Sequence, residues 1–119
     1  MSKSLTFQSL KDSPSSIEAE RAVLGGILID NESMDKIAGI LQVDDFYHEL
    51  NRKIFSCIVD LSNESIPFDF VTINEKVNTE NEPSFLSYLK DIISQTPSAA
   101  NILSYANIVR EQSIVRQLI

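Results

Sequence analysis

Three features of the sequence predict an all-α chain, a compact bundle of about six helices. Apolar residues recur at i, i+3, i+4 and i+7 along its length. Few stretches alternate apolar and polar for more than four residues, so the many Ile and Val, strand formers by propensity, do not assemble into strand patterns. Ser15 and Glu18 stand in S-x-x-E spacing ahead of an apolar run, where each side chain can satisfy an otherwise orphan backbone N–H at a helix start.

Taken in order, residues 1–13 read as a flexible tail whose Leu5, Phe7 and Leu10 follow no pattern that fixes a docking place, and Pro14 closes it. The first helix runs from Ser15 to about Ile29, with Ile17, Leu24, Ile27 and Leu28 inward, and Asp30-Asn31 breaks it. A short second helix spans roughly Met34–Leu41, with Ile37, Ile40 and Leu41 apolar, and Asp44-Asp45-Phe46-Tyr47 is a turn with an aromatic anchor. The third helix extends from about His48 to Ser62, and its Leu50, Ile54, Ile58 and Leu61 share one face. After a loop to Phe68, Asp69 caps a fourth helix through about Asn78, facing inward with Phe70, Ile73 and Val77. Thr79 to Ser84, containing Pro83, is a polar turn. The fifth helix, about Phe85–Ser94, buries Phe85 or Leu86, Leu89, and Ile92 or Ile93. Thr96-Pro97-Ser98 breaks the chain again. The last helix starts near Ala99 with two apolar stripes, Ile102, Tyr105 and Val109, and Ile108, Val115 and Ile119. No Gly, Asn or Pro ends it.

The 119 residues make about one domain, and 43% apolar with 23% charged is ordinary globular composition. One Cys excludes an internal disulfide framework, and one Cys with one His cannot by themselves build a structural zinc site. No apolar run reaches the ~18–20 residues of a membrane span. The N-terminal stretch lacks a signal-peptide core, so a cytoplasmic setting is expected. The net charge of −7 lies wholly in residues 31–95, with five basic and twelve acidic groups. Without clustered Lys and Arg there is little to release counterions from a phosphate backbone, so direct, strong nucleic-acid binding is disfavoured and a basic or neutral protein partner fits better. Simple solubility explains the same charge.

Motifs of common chemistries are missing. There is no G-x-x-x-x-G-K-[ST], no H-E-x-x-H and no C-x-x-C. His48, the single histidine, stands at a helix start as a surface or capping residue, and Cys57 sits inside a helix as a small hydrophobe. Asp44, Asp45 and Glu49 form an acidic cluster. It could serve acid–base or divalent-ion chemistry, or simply complement the positive end of the third helix. Gly25-Gly26 inside the first helix costs about 2 kcal/mol of helix propensity relative to alanine, which close approach of another helix would offset.

Several of these stretches together resemble one family. Ser16-Ile17-Glu18-Ala19-Glu20-Arg21-Ala22-Val23-Leu24-Gly25-Gly26-Ile27-Leu28-Ile29-Asp30 looks like the opening of the bacterial replicative DNA helicase of the DnaB type. Asp45-Phe46-Tyr47, followed by a helix with Ile54-Phe55, resembles the same family. So do Pro67-Phe68-Asp69-Phe70-Val71-Thr72, Tyr88-Leu89, Thr96-Pro97-Ser98-Ala99-Ala100-Asn101 and Tyr105-Ala106-Asn107-Ile108-Val109-Arg110-Glu111. The resemblance covers about residues 14–119. Glu82-Pro83-Ser84 departs from it, standing where the family often has Gly-Gly.

The resemblance implies a helical N-terminal domain, here residues 14–119, that pairs with itself. In the family three such pairs form a collar over six motors, and the collar receives the C-terminal domain of primase. It implies no cofactor for this chain; ATP and Mg²⁺ would serve a motor domain lying outside it. The last helix would continue into a helical hairpin, so Val115, Leu118 and Ile119 are expected at a self-association surface. Partner contacts are expected at Tyr88, Tyr105 and Ile119. Tyr88 is turned about 100° from inward Leu89 and has an amphipathic ring suited to an interface; a tyrosine covering its own core edge fits the same placement. The rival reading is a small acidic helical enzyme using Asp44, Asp45 or Glu49, which would need a pocket of convergent polar groups.

Overall fold

The computed structural model describes residues 16–118. Six α-helices follow one another there: α1 Ile17–Ile29, α2 Ser33–Ile37, α3 Glu49–Asn63, α4 Phe70–Val77, α5 Pro83–Ser94 and α6 Ile102–Leu118. A single 3-10 turn, Val43–Asp45, lies between α2 and α3, and no strand occurs among the described residues.

Helix α1 is the hub, packed against α6, α5, α3 and α2. Its sequence dictates this: the run Val23–Leu28 is buried without interruption, together with Ala19 and Glu20, and a helix apolar round most of its girth must be surrounded. Helices α3, α4 and α5 complete one side, each with a single inward face. Ile54, Phe55, Ile58 and Leu61 are buried from α3, Ile73 from α4, and Phe85, Leu89 and Ile92 from α5. Phe46 is the expected aromatic anchor, 1% exposed, with its ring centroid 4.7 Å from that of Phe55.

The glycine pair does what its helix-propensity cost requires. A Cβ on Gly25 would collide with Thr96 Oγ1 and lie 3.0 Å from the Ile92 carbonyl oxygen; on Gly26 it would lie 2.9 Å from Ile102 Cδ1. The end of α5 and the start of α6 therefore reach the α1 backbone itself. Asp69 caps α4 as expected, in a reciprocal capping box with Thr72.

Several boundaries and faces differ from expectation. The cap of α1 is Ser16, whose hydroxyl accepts from the Ala19 N–H. Ser15, the cap expected from the S-x-x-E spacing, and the tail 1–13 lie outside the described residues, as does Ile119. Helix α2 starts at Ser33 and ends as α-helix at Ile37, before Gly39. Pro83 opens α5 instead of ending a turn, because a first-turn residue has no intrahelical use for the N–H that proline lacks. Helix α6 begins three residues later than expected.

Ile17, at 40% exposed, and Leu50, at 39%, lie at the beginnings of their helices, where fewer neighbours reach them. Phe70 and Val77 are half-buried. The inward stripe of α6 is Ile102, Ala106, Val109 and Ser113, so small Ala106 takes the place expected for Tyr105, which is 37% exposed. A tyrosine ring at Ala106's position would hold α6 away from α1.

Candidate interaction surface

Two open hollows and the outer flanks of α6 are candidate contact surfaces. The first hollow, about 510 Å³, is walled by Leu50 and Lys53 of α3, by Val77 to Glu80 at the end of α4, and by Glu82, Ser84, Phe85 and Tyr88 at the start of α5. Asn78 shapes its wall by bracketing Glu82, with Oδ1 accepting from the Glu82 N–H at 2.8 Å and Nδ2 donating to the Glu82 carbonyl at 3.0 Å. Glu80 and Glu82 place acid beside apolar Leu50, Val77 and Phe85.

Tyr88 is half-buried there and is held from behind. Its hydroxyl donates to Asn51 Oδ1 at 2.6 Å, and Asn51 Nδ2 donates to Glu20 Oε1 at 2.8 Å. Glu20, 1% exposed, also accepts from the Tyr47 N–H at 2.7 Å, just ahead of α3. The Arg21 guanidinium lies 5.1 Å from the Tyr88 ring centroid and donates to Gln95 Oε1 at 2.9 Å. Burial pushes the Tyr88 phenol above its ordinary pKa, opposed by the Arg21 charge. The tyrosine therefore covers a core edge with its hydroxyl satisfied, while its half-buried ring lines the hollow.

The second hollow, about 570 Å³, lies between the start of α1, the Gln95–Ser98 link, and Tyr105 and Ile108 of α6. Tyr105 and Tyr88 thus belong to different hollows. Along α6, Ile108 at 39% and Tyr105 are exposed on one flank, and Leu103 at 45%, Ile114 at 40% and Leu118 at 81% on the other; Val115 is half-buried.

The acidic cluster does not converge. Asp44 is exposed, and Glu49 is exposed and pairs with Lys53 at 3.6 Å. Asp45 is buried, with Oδ1 accepting from Arg110 Nη1 and Ser113 Oγ, each at 2.8 Å, and Oδ2 from the Gln42 N–H at 2.8 Å. It serves the last helix and the 3-10 turn, which corrects the expectation that it complements the third. No group of His, Cys, Asp and Glu that could hold a metal ion exists among the described residues. His48 is the N-cap residue of α3 without a side-chain capping bond, and Cys57 is buried, its thiol pushed up by that burial.

The family model for the DnaB-like helicase N-terminal domain matches residues 12–111. The chain belongs to that family. It is 41% identical over 109 residues to the replicative DNA helicase DnaB of Haemophilus influenzae, covering 89% of this chain and 23% of the relative. To the replicative DNA helicase DnaC of Bacillus subtilis it is 42% identical over 109 residues, covering 89% and 24%. The chain thus spans about a quarter of the length of these relatives.

The N-terminal domain of DnaB helicase from Mycobacterium tuberculosis superposes with a TM-score of 0.81 at 31% identity, covering 90% of this chain and 79% of that one. The Helicobacter pylori DnaB N-terminal domain, solved with attention to its interactions with primase, gives 0.73 at 27% identity, covering 93% and 84%. No helix among the described residues is long and apolar enough to cross a membrane.

Sequence reasoning missed Glu20 and the partners of Asp45. For Glu20 a signal existed, since Glu20, Val23, Leu24 and Ile27 stand at i, i+3, i+4 and i+7, so an acid occupies the inward stripe. For Asp45 none did, because Arg110 and Ser113 lie more than sixty residues away.

Proposed function

We propose that residues 14–119 form a non-catalytic docking and assembly domain of a replicative helicase, preceded by the tail 1–13. In this reading primase seats its C-terminal domain on the hollow around Tyr88, with further contact at Tyr105 and Ile119. Val115 and Leu118 of the last helix, together with Ile119, serve pairing between copies, three pairs making the hexamer's collar. ATP and Mg²⁺ act in a motor domain outside this chain, and the assembly works in the cytoplasm at the replication fork.

The observation that carries the docking reading is the half-buried Tyr88 ring in a hollow where apolar Leu50, Val77 and Phe85 meet the acids Glu80 and Glu82. A rigid amphipathic ring with its hydroxyl already satisfied offers area at low entropic cost, and the acidic edge suits a basic or neutral partner. The primase interaction named for the H. pylori domain supports the choice of partner.

Titration calorimetry with the primase C-terminal domain tests it. Tyr88→Ala is expected to weaken binding by more than about 1 kcal/mol with the circular dichroism spectrum unchanged, and Tyr88→Phe to bind nearly as wild type. Equal affinity of Tyr88→Ala and wild type removes Tyr88 from the docking surface.

A further inference from the structure

The two halves of α6 are attached to the body by different means. The first half is held by apolar burial, with Ile102, Ala106 and Val109 at 2%, 0% and 1% exposure. Beyond Val109 the one buried side chain among the described residues is Ser113, while Ile114 and Leu118 face outward. What the second half offers the body instead is largely polar, and three of its side chains reach one residue. Arg110 Nη1 and Ser113 Oγ donate to the Asp45 carboxylate, and Arg116 Nη2 donates to the Asp45 carbonyl oxygen, each at 2.8 Å. Arg116 also lies 5.2 Å from the ring centroid of Tyr47, two residues on. The spacing of 110, 113 and 116 brings successive turns of the helix to the same point. Asp45 is itself fixed, because its second oxygen accepts the Gln42 N–H that closes the 3-10 turn.

We infer that Asp45 is a latch: it sets the direction in which the second half of α6 leaves the body, and it can open while the apolar core stays closed. Charge-assisted hydrogen bonds to one carboxylate are directional, and they are made or lost together when that carboxylate goes. A segment with little apolar burial opens as a local unit, at lower free energy than the core. The latch thereby positions the outward apolar side chains of residues 114–118, and Asp45, Arg110, Ser113 and Arg116 are positioning residues. This goes beyond primase docking and holds whether or not Tyr88 contacts primase.

Hydrogen exchange read by mass spectrometry tests it on two variants of the full chain. Asp45→Ala removes the carboxylate that accepts from Arg110 and Ser113 and leaves the main-chain carbonyl that accepts from Arg116. Arg110→Gln combined with Ser113→Ala removes two donors and leaves the Gln42–Asp45 bond intact, so it decides the matter if Asp45→Ala does not fold. The expected result is at least tenfold faster exchange of amides in 110–118, with protection in α1 and α3 within twofold of wild type. Unchanged exchange in 110–118, or an equal rise across α1 and α3, overturns the latch.

Discussion

Replacing Gly25 by alanine separates helix propensity from close packing, because the two effects have opposite signs. In an exposed helix interior the change would gain about 1 kcal/mol. At Gly25 the new methyl collides with Thr96 Oγ1, approaches Thr96 Cβ to 2.9 Å and lies 3.0 Å from the Ile92 carbonyl oxygen. Thr96 can move only by giving up its 2.8 Å hydrogen bond to that same carbonyl, and the carbonyl is helix backbone that yields little. Overpacking of this kind costs about 1–3 kcal/mol and the lost hydrogen bond about 1 kcal/mol more, so the net expectation is a loss of about 1–3 kcal/mol.

Gly26 is more forgiving, since its nearest obstacle is the terminal methyl of Ile102, which can rotate. Gly39 has nothing within 4 Å, and alanine there should stabilise by about 0.4–1 kcal/mol through the unfolded chain. In thermal unfolding followed by circular dichroism, each kcal/mol moves Tm by roughly 4–8 °C at this size. The expected order of melting temperatures is Gly39→Ala, wild type, Gly26→Ala, Gly25→Ala. A Gly25→Ala protein that melts at or above wild type would refute the close-packing argument.

Two further outcomes follow from buried polar groups. Glu20→Leu leaves Asn51 Nδ2 and the Tyr47 N–H without their acceptor, and urea unfolding should show at least about 2 kcal/mol lost, with Glu20→Gln intermediate; a loss below about 0.5 kcal/mol would make the network ornamental to stability. Burial holds the Cys57 thiol protonated above its ordinary value of 9.0, so as pH rises through that value the unfolded chain releases a proton the folded one keeps, and stability falls. Cys57→Ala should flatten part of that decline above pH 9.0 in urea titrations, and an unchanged slope would exclude the thiol as a contributor.

The chain order of helices was open to reading because its signals are local. Asp69 and Thr72 stand three residues apart, the α5 stripe of Phe85, Leu89 and Ile92 repeats within seven, and Gly25-Gly26 declares a close approach without saying by what. The family resemblance was legible for the same reason, resting on short runs of consecutive residues. Which inward-facing stripe α6 uses was not legible, because Tyr105 and Ala106 are both acceptable until the distance to α1 is known. Nor were the polar contacts that shape the candidate surface. Tyr88 meets Asn51 across 37 positions, Tyr47 meets Glu20 across 27, and Arg116 meets Asp45 across 71. Period, caps and glycines act over one or two helical turns and are set by the chain itself. A buried carboxylate takes whichever donors packing brings to it, and only the tertiary structure decides which those are.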